Sequence, residues 1–192
     1  MSRWQPNSRE RLEQAALELF GEQGFDDTTV PQITERAGLT TRTFFRYFAD
    51  KREALFGGEE HIPEQVAAFM ADVPPSVGPM ELIERGLAPA AAVAFEGRNL
   101  DYLQRRRAVI AAEPALRERE LRKFALMSDA MTQGFLDRGL SALDARLAAE
   151  VAVTAFRIGA TQWIDQGCTS DLTTTIRKTL RALQTLATPS SR

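Results

Sequence analysis

The stretch that most constrains this chain is Ala37-Gly38-Leu39-Thr40, where one helix must stop and another must start with almost nothing between them. Upstream, Thr28-Thr29 can cap a short helix carrying Val30, Ile33 and Ala37 on one face, and Pro31 is tolerated there because a first-turn N–H has no helical partner. Gly38 stands where a left-handed residue is needed to end that helix. Thr40 can cap the next, Thr41 to Phe48, whose inner face is Phe44 and Phe48 one turn apart. A preceding helix is predicted from the pair Asn7 and Glu10 followed by Leu12, Ala15, Ala16, Leu19 and Phe20 at helical spacing, ending near Gly24. The three together read as a helix-turn-helix unit on a small core.

The rest of the chain is also helical in pattern. A fourth helix is expected from Lys51 through Leu55 and Phe56, interrupted by Gly57-Gly58 and Pro63 before Val66, Phe69 and Met70. Pro74 to Pro79 is a loop, and the helix after it contains Pro89 and should bend. Residues 99–112 and 114–138 read as helices six and seven, Ser141 to Gln166 as helix eight, and Ser170-Asp171 open a ninth that runs to Pro189. No stretch alternates like a strand. The expected fold is all-α with nine helices, divided into a DNA-binding-type domain at 1–51 and a larger helical domain at 52–192, helix four linking them.

Composition excludes several classes. No apolar run approaches the roughly 18 residues of a membrane span, so no membrane partner is expected. The single cysteine, Cys168, excludes an internal disulfide, and with His61 as the single histidine an ordinary Cys/His zinc site cannot form. No metal or cofactor is expected, and the N-terminus lacks the apolar core of a signal peptide, so the expected location is the cytoplasm. No Ser-His-Asp, Cys-His or paired-ligand pattern supports an enzyme. Formal net charge is -2, so any case for a nucleic-acid partner is local. Between Arg36 and Lys51 the side chains Arg36, Arg42, Arg46 and Lys51 face Asp50 alone, a net +3, and Arg52 makes it +4. Taken alone, such a run is more often an ordinary solvated face.

Residues 28–56, TTVPQITERAGLTTRTFFRYFADKREALF, resemble the DNA-binding signature of the tetracycline-repressor (TetR/AcrR) family. The resemblance rests on Thr29, Ile33, Ala37-Gly38-Leu39, Thr43-Phe44, Tyr47-Phe48 and Lys51 in the family's spacing, and the nine-helix layout extends it more weakly over the remainder. It implies a regulator that binds palindromic double-stranded operator DNA as a homodimer and answers to a small-molecule effector, most simply as a repressor released by it. Thr41, Arg42 and Thr43 then lie where family members touch base edges, with Arg42 the candidate reader of guanine and Thr40 and Arg46 on the same surface. Thr29, Tyr47 and Lys51 match positions that grip phosphate. Two departures stand out: Phe45 replaces a tyrosine and can make van der Waals contact at best, and Pro31 reduces base reading from the second helix.

In the C-terminal part, Phe69, Phe95, Tyr102, Phe124, Met127, Met131, Phe156 and Trp163 gather aromatic and sulfur side chains. Their spacing fits an ordinary core. The resemblance implies a ligand cavity lined from helices four to eight, and such a lining suits an apolar or aromatic ligand. Helix eight is apolar on two sides, and Ala152, Ala155 and Gly159 permit close helix approach, while Ile176, Leu180 and Leu183 form a stripe on helix nine. The resemblance places these residues at a dimer interface. Because Lys51 to Phe56 belong to the DNA-binding unit while Val66, Phe69 and Met70 should face the C-terminal body, helix four is expected to transmit ligand binding to the reading heads, with Gly57-Gly58 and Pro63 as a hinge.

Overall fold

A computed structural model describes residues 8–56, 61–95 and 97–187. Among them are nine α-helices, one 3-10 turn and no strand. The helices are α1 (Ser8–Gln23), α2 (Val30–Arg36), α3 (Thr41–Tyr47), α4 (Ile62–Asp72), α5 (Pro79–Phe95), α6 (Leu100–Ala112), α7 (Pro114–Asp137), α8 (Ala142–Asp165) and α9 (Leu172–Ala187), and the 3-10 turn η1 is Glu53–Leu55. No helix of the described residues is long and apolar enough to cross a membrane. The main departure from expectation lies after α3. Lys51 does not open helix four: it sits in a turn before η1, and α4 begins only at Ile62 with Pro63 in its first turn. A proline ring cannot occupy a helix interior without removing a hydrogen bond, so the helix starts at the proline. The expected capping residue Asn7, the expected hinge Gly57-Gly58 and the expected helix end at Pro189 lie outside the described residues.

The chain forms two compact units. The first gathers α1 to η1 with residues 101–121, from α6 and the start of α7. Leu12, Leu17, Ile33 and Phe44 are among its most deeply buried large side chains, each no more than 1% exposed. Two seven-residue helices are too short to be stable alone, so α2 and α3 are held by these residues against α1. Burial of a side chain such as Phe44 contributes about 1.5–3 kcal/mol. The segment 101–121 joins through two arginines. Arg106 donates to the Leu55 carbonyl from Nε at 3.2 Å and Nη2 at 3.1 Å, and its guanidinium lies over the Phe56 ring at 5.0 Å. Arg119 pairs with Glu53 at 2.6 Å.

The second unit contains α4, α5, the rest of α7, α8 and α9. Its core centres on Leu82, Phe135, Ala145, Ala155, Ile176 and Leu180, all nearly inaccessible. α8 is capped by Ser141, whose hydroxyl accepts from the Asp144 N–H at 3.1 Å. Its closest neighbour is α9, and the approach depends on Gly159: a Cβ there would lie 2.7 Å from Ile176 Cα and 2.9 Å from its Cγ1. Gly159→Ala should therefore force the helices apart and destabilise the chain by roughly 1–3 kcal/mol. Gly21→Ala, in α1 with open space around it, should stabilise by about 0.5–1 kcal/mol. Denaturant titration of both variants checks the pair, and equal effects at the two sites would contradict the close packing of α8 on α9.

Candidate nucleic-acid interface

The turn between α2 and α3 is built backbone first. Gly38, with φ of 62°, takes the left-handed conformation that ends α2. Its N–H donates to Glu35 O at 3.0 Å and the Leu39 N–H to Thr34 O at 2.8 Å, which satisfies carbonyls the helix would otherwise leave open. The Arg11 guanidinium, from α1, donates to the carbonyl oxygens of Ala37 and Gly38. A Cβ at position 38 would lie 2.9 Å from the flexible end of Arg11, which could shift, so glycine is required for its φ. Thr40 then caps α3 by accepting from the Thr43 N–H at 3.2 Å, and the two threonine hydroxyls lie 3.0 Å apart.

At the other end of α2, Thr29 and Gln32 form a reciprocal capping box. The Thr29 N–H and hydroxyl both donate to Gln32 Oε1, at 2.8 and 2.9 Å. Both Thr29 donors are thus engaged within the chain. α3 presents Thr40, Thr41, Arg42, Phe45, Arg46 and Tyr47 to the exterior, Phe45 being 57% exposed. Thr40, Arg42, Thr43 and Arg46 line a shallow cleft on this face.

The positive charge of the segment is sorted by its partners. Arg36 makes a two-pronged contact with Glu22, at 3.0 and 2.8 Å, and a third with Glu18 at 3.4 Å. Arg52 pairs with Asp50 at 2.7 Å. Burial opposes ionisation of that carboxyl, but hydrogen bonds from Arg52 and the Glu53 N–H outweigh it and hold Asp50 below its ordinary value. The Lys51 ammonium donates to three main-chain carbonyls, those of Phe25, Asp26 and Thr28. Arg46 stacks on Tyr47, 4.7 Å from the ring centre, and donates to its hydroxyl at 3.0 Å. Arg42 alone of these five cations takes part in no hydrogen bond or ion pair among the described residues. The sequence shows a run of +4; the structure leaves Arg42 and Arg46 on the outer face of α3.

Residues 13–56 match the family model of bacterial regulatory proteins, tetR family. Over these residues the chain is similar to the DNA-binding domain of that family. The HTH-type transcriptional regulator TcmR of Streptomyces glaucescens is 39% identical over 74 residues, 38% of this chain and 33% of TcmR. The matched stretches span less than half the length of the curated relatives. Two solved structures share the TetR-family fold over nearly all the chain. FadR of Thermus thermophilus, a repressor in complex with lauroyl-CoA, has a TM-score of 0.52 at 23% identity and covers 96% of this chain and 97% of that one. NalD of Pseudomonas aeruginosa, the secondary repressor of the MexAB-OprM efflux pump, has a TM-score of 0.56 at 20% identity and covers 93% and 96%.

The C-terminal candidates divide. Phe69, Phe95, Met131, Phe156 and Trp163 belong to the second unit's core, with Phe95 placed 6.1 Å from Phe156 and 5.7 Å, edge-on, from Trp163. Tyr102 packs on the first unit's core instead. Phe124 and Met127 are half-buried on α7 and join neither cluster, the Lys123 ammonium lying over the Phe124 ring. The residues expected at a dimer interface lie largely within the core of the chain. Ala152, Ala155, Gly159, Ile176 and Leu180 are buried within one chain, and Leu183 packs on the same core. Their small size and apolar stripe serve the packing of α8 against α9, with Leu183 still partly exposed. The exposed large apolar residues of these helices are Leu143, Leu147, Ile158 and Leu186. Cys168 is half-buried, and desolvation pushes its thiol up, away from the reactive thiolate.

The Arg36 pairing makes a direct prediction. A hydrogen bond from Arg36 holds the exposed Glu22 carboxyl below its ordinary value of 4.5. A depressed folded pKa stabilises above the unfolded value and is lost as pH falls through the folded one. In Arg36→Gln the Glu22 midpoint, followed by NMR titration, should rise toward 4.5, and the acid-side loss of stability that it causes should vanish. An unmoved midpoint would mean that the pair does not form in solution.

Proposed function

We propose that the chain is a sequence-specific transcription regulator that reads operator DNA with α3 in the major groove. On this reading it acts in the cytoplasm as a repressor, released when a small apolar or aromatic ligand enters its C-terminal unit. The observation that carries the proposal is Arg42, a guanidinium with no hydrogen-bond or ion-pair partner among the described residues, on the exposed face of a helix whose opposite face is anchored by the fully buried Phe44. A free guanidinium so placed suits the two acceptors on the major-groove edge of guanine. Thr41 and Thr43 flank it with short polar groups, while Arg46 and the Tyr47 hydroxyl, which accepts from Arg46 and keeps its own proton to donate, suit phosphate oxygens. Phe45 offers an apolar surface to the sugar or a thymine methyl.

The test is selection from a randomised operator pool, followed by the same selection with Arg42→Ala. The substitution should weaken binding by about 1–3 kcal/mol and relax preference at one position in each half-site. An unchanged consensus would remove Arg42 as the base reader, and a wild-type chain that selects no sequence would overturn the function.

Support for an apolar ligand comes from the aromatic cluster Phe95, Phe156 and Trp163 with Phe69 and Met131 nearby in the core, and from FadR's acyl-bearing ligand. Palindromic readout calls for two heads about 34–36 Å apart, hence a homodimer. The face we assign to it is the helically spaced stripe Leu143, Leu147 and Ile158 of α8 with Leu186 of α9, where Leu143 is 68% and Leu186 84% exposed. Leu143→Asp combined with Leu147→Asp should give a folded monomer in sedimentation and abolish tight operator binding. A double variant that remains dimeric would move the interface elsewhere.

A further inference from the structure

Gln23, the last residue of α1, and Gln32, in α2, interlock through their side-chain amides. Gln23 Nε2 donates to the Asp27 carbonyl at 2.9 Å and lies 3.3 Å from both Thr28 Oγ1 and Gln32 Oε1. Gln32 Oε1 also accepts from the Thr29 N–H at 2.8 Å and from the Thr29 hydroxyl at 2.9 Å. A main-chain carbonyl only accepts and a main-chain N–H only donates, so these contacts fix which end of each amide is oxygen and which is nitrogen. Three donors converge on an oxygen with two lone pairs, and the acceptor of Gln32 is thereby filled within the chain. Its Nε2 is left over: an exposed group with two protons to donate and no acceptor among the described residues.

An amide held in this way is a donor only. Glutamine reads adenine by using its acceptor and its donor together, and the acceptor of Gln32 is already taken. A phosphate oxygen only accepts, and it matches what remains. The first helix of a helix-turn-helix crosses the DNA backbone while the second enters the groove, so α2 lies beside phosphates when α3 reads bases. Glutamate at position 32 would complete the same capping box. It would present an oxyanion instead of a donor, after a turn that already carries Asp26 and Asp27.

We propose that Gln32 is a phosphate-binding residue of the reading head: its oxygen closes the cap of α2, and its nitrogen donates to one operator phosphate in each half-site. The proposal rests on the DNA-binding reading above. The contact is made by the side-chain amide alone, and the main-chain N–H groups of α2 take no part in it. A neutral donor of this kind adds affinity and fixes register, and it contributes neither to sequence preference nor to counterion release.

The experiment uses the full chain and the operator selected by the wild type, made as a series of duplexes in which one phosphate at a time is replaced by an uncharged methylphosphonate. Gln32→Ala should weaken binding about tenfold for all sequences alike, with an unchanged consensus and salt slope. One phosphate in each half-site should then cease to matter. An unchanged methylphosphonate profile would overturn the contact, and so would a relaxed base preference, which would assign the residue to a base. Because Gln32→Ala also opens the cap, Gln32→Glu separates the two roles: it keeps an oxygen toward Thr29 and Gln23 and replaces the amide protons with negative charge. Its melting temperature should equal or exceed that of the wild type, while its operator affinity should fall below that of Gln32→Ala. Methylphosphonate at the same single position of each half-site should restore much of that loss. Equal rescue at several phosphates would mean diffuse repulsion and overturn the contact, as would wild-type affinity in Gln32→Glu. If Gln32→Ala does not fold, the Gln32→Glu rescue still decides. A marked loss of stability in Gln32→Glu would show that the amide protons have an acceptor inside the chain, and that result overturns the proposal from the free protein alone. A wild type that selects no operator overturns the DNA-binding reading instead, while the melting of Gln32→Glu still reports whether those protons are free.

Discussion

The reading head depends on a constraint of length. A seven-residue helix closes so few internal hydrogen bonds that it holds neither its own conformation nor its own direction. For α2 and α3 both are imposed from outside, and the means are of two kinds. Ile33 and Phe44, each at 0% exposure, fix the helices by burial against α1. Arg11 and Lys51 fix the loops by donating to main-chain carbonyls that the helix ends and turns leave open. Burial alone is tolerant of sliding; hydrogen bonds to specific carbonyls are not. Together they hold the outer face of α3 as a rigid surface.

That arrangement explains why local charge is a poor guide to charge available for binding. Of the five cations between Arg36 and Arg52, Arg36 answers carboxylates on α1, Arg52 answers Asp50 and Lys51 answers carbonyls. These pairings lie largely at the surface, where an isolated ion pair adds little stability. Their larger effect is on availability, since each engaged cation leaves less of the field that a polyanion meets. Arg42 stands apart because α3 carries no acidic side chain to pair with it.

In the second unit the same issue arises for apolar surface. α8 has more apolar faces than one neighbour requires, and the small residues among them suggest close approach of another helix. The neighbour is α9 of the same chain: Gly159 meets the Ile176 backbone, and Ala155 is wholly buried. What remains exposed is larger and more peripheral, Leu143 and Leu147 near the start of α8 and Leu186 near the end of α9. An exposed leucine singly needs no explanation, but a helically spaced set on adjacent elements marks a surface where association removes apolar area from water.

By itself the sequence determined everything that depends on neighbours in the chain: nine helices, the caps at Thr29, Thr40 and Ser141, the stop at Gly38, and the family signature that spans α2 and α3. These were legible because caps, left-handed glycines and helical periodicity act within a few residues. It placed Arg42 and the threonines on the outer face for the same reason. Only the tertiary structure decided which cations are engaged, that Lys51 precedes a 3-10 turn rather than a helix, that residues 101–121 pack with the N-terminal unit, and that Gly159 serves the interior of one chain. Each of those turns on a partner many residues away, such as Phe25 for Lys51, Leu55 for Arg106 or Ile176 for Gly159. Charge and hydrophobicity can be counted along a chain, but whether they are satisfied depends on what folding brings beside them.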